Sequence, residues 1–484
     1  MLATEITLPS ASTPSGFNSD ATQFIRAIRT QELPPLAVQR AVDAVTDTAG
    51  CMVLGARQPL ETPLRRALFG APEQRTAEAT LRRALAPGTW ADSGPESQGA
   101  AVLYLGALAH AADYDDISHP AYCHATALLL PPLLVRGVAG GHSGDALVRA
   151  YIAGVETMGQ LGRSLNTRHY EAGWHSTSTL GTLAATAALS VLDGLSESQT
   201  ITALGIAASL ASGVRQNFGS MTKPLHAGLP GRSAILATRL ASEGFTSSAD
   251  AIDGRYGFCR TFGGSADPGH AKPWGGPLEI LTDNGLALKA YPCCAATHAA
   301  VDAARALSAR HTPDQVRSIR VAVSRFAMEP LIYLRPVTPL EAKFCMPYCV
   351  AAAFVDGRLD LESFNTHAIV RPDIVALMEH TVMEVDARVA DDREFASIVE
   401  LTLTDGSVDA VRVDIASGKP GKWMSPSDLE AKFVSCCGQS PQDAGTRKLY
   451  AAAQALPTSP SPADLYASLV DSIVRAANST ETTP

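Results

Sequence analysis

Aromatic residues make up only 6% of the 484 positions, too few for the aromatic and β-branched core of a β-sandwich or barrel. Beside many Ala and Gly residues, this scarcity points to closely packed helices with small side chains at their crossings. No segment concentrates Lys and Arg, and the formal charge is −9 from 39 basic and 48 acidic residues. The electrostatic footprint of a nucleic-acid partner is missing. A net negative charge also repels an anionic substrate at long range, so a polycarboxylate site must supply its own cations. Single Lys and Arg residues therefore become informative.

The nine cysteines form no C-x-x-C pair, and their odd number argues against a complete disulfide framework. A reducing, cytoplasmic compartment fits best. The amino terminus has no basic region followed by an apolar core, so no signal peptide is expected. Residues 176–192 are uncharged but rich in Thr, Ser and Ala, and short for a bilayer, which takes roughly 20 apolar residues. They read as a buried helix, and no membrane partner is expected. Also absent are G-x-G-x-x-G after a strand, G-x-x-x-x-G-K-[ST], H-E-x-x-H and G-x-S-x-G, which argues against a nucleotide enzyme, a zincin or an α/β-hydrolase. Most cysteines fall in adjacent or i,i+4 pairs, unlike the separated thiolates of an iron–sulfur dehydratase. Acid/base chemistry without a cofactor or metal remains.

Residues 1–20, rich in Ser, Thr and Pro, read as a flexible tail. From about 22 to 280 one helical pattern follows another. In 143–165, Ser143 and Asp145 suit a helix start, and Leu147, Tyr151, Val155, Met158 and Leu165 recur at helical spacing. After 310 the texture changes. Ser318–Ser324 alternates with period two, and 398–403 runs through Asp405-Gly406 into 408–415 as a hairpin. Helices around 341–355 and 373–380 complete a smaller α+β unit. Beyond the Gly/Pro-containing break 417–422, residues 425–455 return to helix, with Ser425 or Ser427 as its cap.

Four segments carry residues suited to chemistry. Asp113-Tyr-Asp-Asp-Ile-Ser-His-Pro-Ala-Tyr-Cys-His124 sets three carboxylates and two histidines within twelve residues, enough for an acid/base group or a divalent cation, or for helix capping. In Gly173-Trp-His-Ser-Thr-Ser-Thr179, His175 stands before an uncharged helix, whose amino end disfavours a protonated ring. A backbone carbonyl would satisfy the same ring. Lys223 and His226 sit three apart in a segment otherwise without charge. A buried lysine needs an anion, which is either a substrate carboxylate or an internal Asp or Glu. Lys289-Ala-Tyr-Pro-Cys-Cys-Ala-Ala-Thr-His298 lies at the expected domain junction. Its double cysteine is either nucleophilic or inert packing.

In this order, DYDDISHP…H, GWHSTSTLG, MTKPLHAG, KAYPCC…H and EAKFCMPY resemble the MmgE/PrpD superfamily over residues 22 to 450. The resemblance implies a mainly α protein with an α+β second domain. A large helical domain would be built from 21–284 and 416–484, a lid-like α+β domain from 285–415, and the molecule would be a homodimer with its site between the domains. It implies a cofactor-independent, metal-free lyase, a decarboxylase or dehydratase, acting on a small di- or tricarboxylic acid such as cis-aconitate or 2-methylcitrate. Alternatives are an epimerase of an iminodisuccinate-like dicarboxylate and a non-catalytic binding protein on the same fold. By match to the motifs, Asp113, His124 and His175 take catalytic positions, and Lys223, His226, Lys289, Cys294 and Tyr333 substrate-binding ones. Animal cis-aconitate decarboxylases carry His where this chain has Cys294. In the expected arrangement His124, oriented by Asp113, moves the proton. Lys223 and Lys289 hold carboxylates, while His175 orients a second carboxylate or acts from the opposite face.

Overall fold

Ser143 accepts a hydrogen bond from Ala146 N at 3.2 Å and opens the helix Gly144–Leu165, as its sequence predicts. The same logic places Ser425, accepting from Asp428 N, at the start of Pro426–Cys437. The uncharged run forms the helix Ser176–Leu192, buried on every side. Its polar residues tolerate burial because Thr182, Thr186 and Ser190 each donate a hydroxyl to the carbonyl four residues back, at 2.7–2.8 Å. No hydroxyl among these three is left to pay for desolvation.

The computed structural model describes residues 5–7, 16–70, 76–93, 95–263, 272–392 and 395–481. Residues 1–4 and 8–15 of the expected tail lie outside these, and the helix Phe17–Ile28 begins within that stretch. The chain is mainly α with an α+β portion. It divides into two compact units, one running to Leu286 and resuming at Ser425, the other spanning Ala287–Met424.

In the first unit, the helices Pro95–His110 and Thr222–Ser242 pack closely. A Cβ on Gly106 would lie 2.6 Å from Gly228 Cα, and one on Gly228 would collide with the Leu103 carbonyl. Only glycine permits this backbone approach. Ser176–Leu192 packs against Thr222–Ser242 and Gly144–Leu165. Pro426–Cys437 returns to Pro35–Gly55, where Lys432 Nζ lies 2.7 Å from Asp47 Oδ1 and donates to the Tyr114 carbonyl at 2.8 Å. No helix among the described residues is long and apolar enough to cross a membrane.

The second unit holds a four-stranded sheet in the order Thr381–Val385, Val316–Val323, Ser397–Leu403, Val408–Val413. The first pair is parallel and the other two are antiparallel, so the expected hairpin forms. The helix His298–Ser308 covers the last two strands and packs on Met346–Asp356. Where a boundary at 415 was expected, 416–424 stays with this unit. Asp302 accepts from Ser417 N at 2.8 Å and Lys422 Nζ at 3.1 Å, which ties the Gly/Pro segment to the helix it follows in space.

Candidate active site

The helix Pro95–His110 ends on a histidine, and the chain turns sharply after it. Asp113 N donates to His110 O at 3.1 Å, and Asp113 itself has φ 53°, a left-handed conformation that costs a non-glycine residue energy. The turn directs Asp113 back toward its helix, with Oδ1 3.7 Å from His110 Nε2. Across the Gly106–Gly228 crossing, the first turn of Thr222–Ser242 brings Lys223 to the same point. Lys223 Nζ stands 2.6 Å from Asp113 Oδ1 and 2.6 Å from His110 Nε2. All three are at least 95% buried.

The three aspartates of the first motif do different work. Asp113 pairs with Lys223. Asp115, fully buried, places Oδ1 2.8 Å from His110 Nδ1 and Oδ2 3.3 Å from His124 Nδ1. Asp116 accepts from Thr126 N at 2.9 Å and from the Thr126 hydroxyl, which caps the helix Ala125–Ala139. Its carbonyl lies 2.9 Å from His124 Nδ1. A carbonyl can only accept, so His124 Nδ1 carries a proton and exchange must occur at Nε2. His124 is thus oriented by Asp115 and the Asp116 carbonyl rather than, as expected, by Asp113. Asp113 Oδ1 lies 3.9 Å from His124 Nε2 and faces its exchanging end.

His175 precedes the buried helix and contacts His226, Nδ1 to Nδ1, at 2.9 Å, so one ring donates and the other accepts. Phe218 stands edge-on to His175, with ring centroids 4.9 Å apart, and its ring centroid is 5.3 Å from Lys223 Nζ. Lys289, Cys294 and Tyr333 belong to the second unit, where Lys289 is buried and the other two are half-buried. The first-unit cluster therefore unites Asp113, His124 and Lys223, with His175 and His226 as an adjoining pair. His110 and the orienting role of Asp115 were missed.

Burial dominates the protonation of the site. It lowers His110 to about 3, with the charges of His124 and Lys223 acting the same way and Asp115 opposing. Burial and then Lys223 push His226 down to about 4 and His175 well below its ordinary 6.5. These three rings are neutral at pH 7. Burial works against the Asp115 carboxylate too, but His110 and His124 together outweigh it and hold its pKa below the usual range. Asp116 rises to about 7 through burial, despite its bonds to Thr126.

His110, Asp113, Asp115 and His124 bring candidate ligand atoms within 4.8 Å of one another, and among the described residues they form the group suited to a metal ion. The Lys223 ammonium already supplies positive charge between two of them, Asp113 and His110. What the cluster offers is a fixed cation beside a histidine with one exchangeable proton, walled by neutral imidazoles.

Residues 19–271 match the MmgE/PrpD N-terminal domain and residues 291–456 the MmgE/PrpD C-terminal domain. This chain belongs to the MmgE/PrpD family. Among curated relatives, it is similar to cis-aconitate decarboxylase of Mus musculus, 29% identical over 347 residues, which covers 69% of this chain and 70% of that one. The Homo sapiens protein of the same name is 29% identical over 351 residues, 69% and 71% of the two chains. That of Aspergillus terreus is 23% identical over 378 residues, 72% and 74%. With both halves of the family matched, this MmgE/PrpD protein is an enzyme of the lyase class.

Proposed function

We propose that this MmgE/PrpD enzyme decarboxylates an unsaturated tricarboxylate of the cis-aconitate kind, using His124 as the acid. The observation that carries this reading is the His124 geometry: Nδ1 donates to the Asp116 carbonyl with the Asp115 carboxylate 3.3 Å away, and Nε2 lies near the Asp113–Lys223 pair. The names of the relatives supply the substrate class.

The chemistry balances without an external oxidant or reductant. A carboxylate on the methylene arm leaves as carbon dioxide, and its bonding pair becomes the new double bond. The old π pair takes a proton at the neighbouring CH carbon, delivered from Nε2 of His124. Charge accumulates on the substrate as the carbon–carbon bond breaks, and a buried ammonium stabilises it more than one in water would. Lys223 is that ammonium. The neutral His175–His226 pair offers hydrogen bonds to a second carboxylate without adding charge. On this reading Lys289, Cys294 and Tyr333 also serve the substrate, and Lys289→Met should raise KM more than it lowers kcat.

Purified enzyme incubated in deuterated water with cis-aconitate, 2-methylcitrate, citrate and iminodisuccinate separates the readings. Carbon dioxide release from cis-aconitate, with one deuterium in the product, is expected. Water loss from 2-methylcitrate without carbon dioxide would replace the decarboxylase with a dehydratase. Deuterium exchange into iminodisuccinate with inversion would make the enzyme an epimerase.

A further inference from the structure

We infer that His110 is a positioning residue: a neutral imidazole that holds the Lys223 ammonium through Nε2 and the Asp115 carboxylate through Nδ1–H. The inference deepens the proposed function, because the two groups it holds are the cation and the partner of the acid. His110 is 1% exposed, and its two ring nitrogens face charged groups of opposite sign, 2.6 Å from Lys223 Nζ and 2.8 Å from Asp115 Oδ1.

Those partners dictate the tautomer. An ammonium only donates, so Nε2 must accept; an ionised carboxylate only accepts, so Nδ1 must carry the proton. A second proton on the ring would set an N–H against an ammonium at hydrogen-bond distance, in a place water does not reach. The groups then alternate along one line of contacts: the Asp113 carboxylate, the Lys223 ammonium, the His110 imidazole, the Asp115 carboxylate and the His124 imidazole. The His110 and His124 rings lie with centroids 4.0 Å apart, so displacement of His110 reaches the acid by contact as well as through Asp115.

The backbone supports the arrangement. The Gly106–Gly228 approach sets the distance between the two helices, and His110 and Lys223 lie about one turn beyond it on each. Lysine is flexible and strongly hydrated when alone. Between Asp113 and His110 its ammonium has two fixed acceptors, which is what a transition-state cation requires.

Three substitutions separate positioning from simple filling of space. Gln places an acceptor where Nε2 was and still meets Lys223; Asn places a donor where Nδ1 was and meets only Asp115; Ala does neither. With cis-aconitate as the probe, His110→Gln should keep kcat within about tenfold of the parent. His110→Asn and His110→Ala should lose on the order of 100-fold, the usual cost of misplacing a catalytic group by about 1 Å. Full turnover in His110→Ala would overturn the inference. So would an equal loss in all three variants that tracks their melting temperatures, since that is what a purely structural residue would give.

A second measurement does not depend on turnover. In nitrogen-15 histidine spectra of the substrate-free enzyme, the ring signal that disappears in His110→Gln should be a neutral ring with its proton on Nδ1. Its Nε2 resonance should move in Lys223→Met. A ring protonated on both nitrogens, or on Nε2 alone, would overturn the inference even if cis-aconitate is turned over. If cis-aconitate is not turned over while the spectra are as stated, the decarboxylase reading fails and the positioning assignment stands.

Discussion

Replacing Lys223 by Met keeps the length of the side chain and removes its charge, so it tests which anion the lysine serves. The sequence allows a substrate carboxylate or an internal one; the structure shows Asp113 at 2.6 Å, with both side chains only 6% exposed. Removing one partner of a buried pair leaves the other charge in a poor dielectric and costs about 3–5 kcal/mol. An exposed pair would cost about 0–1 kcal/mol. Lys223→Met should therefore be destabilised by about 3 kcal/mol or more, measured by urea unfolding at pH 7. Adding Asp113→Asn removes the stranded charge, and Asn tolerates the left-handed backbone at that position. The double variant should recover at least about 2 kcal/mol of the loss, and this coupling is the quantity the structure specifies. Kinetics report separately on substrate: if Lys223 also meets a carboxylate of the bound acid, KM rises roughly 10- to 150-fold, equivalent to about 1.5–3 kcal/mol. A single variant within 1 kcal/mol of the parent, with no coupling to Asp113→Asn, would refute the buried-pair reasoning.

His124→Gln should lower kcat by about 10²–10⁴ with little change in KM, because it removes the exchanging nitrogen but keeps a polar group; unchanged turnover would take His124 out of the chemistry. Gly228→Ala should cost about 1–3 kcal/mol or more in stability and lower kcat as well, since it wedges apart the helices that join Lys223 to His110; parental melting and turnover would show that the close approach does not matter. Activity should survive EDTA, because Lys223 supplies the positive charge in the His110–Asp113–Asp115–His124 group; loss restored by one divalent ion would reverse that view. Acid should lower the melting temperature between pH 6.5 and 4.5. His110, His175, His226 and the buried His169, whose ring lies between the Phe262 carbonyl and the Thr179 hydroxyl, have folded pKa values lowered below 6.5 by burial and take up protons there mainly on unfolding, whereas Asp47 and Asp116, raised to about 6 and about 7, release theirs. Four histidines outweigh two carboxyls, so a melting temperature that rises toward pH 4.5 would contradict these assignments.

Much of the fold could be read locally because its signals are local. Ser143 and Ser425 mark helix starts through bonds to residues three positions on, and the strands 316–323 and 397–403 carry stretches of alternating apolar and polar residues, although 321–323 and 397–399 are buried on both faces. The uncharged run 176–192 reads as a buried helix, and Thr182, Thr186 and Ser190 find hydroxyl partners one turn back. The end of the second unit was less legible for the opposite reason. Residues 417–422 carry every mark of a chain break, yet Asp302, more than a hundred positions earlier, binds Ser417 and Lys422 and keeps them in that unit.

The site follows the same division. Spacing alone collected Asp113, Asp115, Asp116, His119 and His124 for an acid/base group, a divalent cation or helix capping, but could not say that it is Asp116 that caps a helix, Asp113 that neutralises a lysine and Asp115 that lies against two rings. Those roles depend on which way each side chain points in a loop where Asp113 and Tyr122 both take a left-handed backbone. His110 escaped notice because, within its own segment, it is simply the last residue of an apolar helix. Its meaning lies in a partner 113 positions away. One clue was present: a lone titratable ring ends a helix that otherwise has no reason to carry one, three residues before an aspartate. On the proposed substrate, a chain with net charge −9 needs a cation it cannot lose to solvent. Burying one lysine between a carboxylate and a neutral ring meets that need, and the ring was as necessary to the arrangement as the charge.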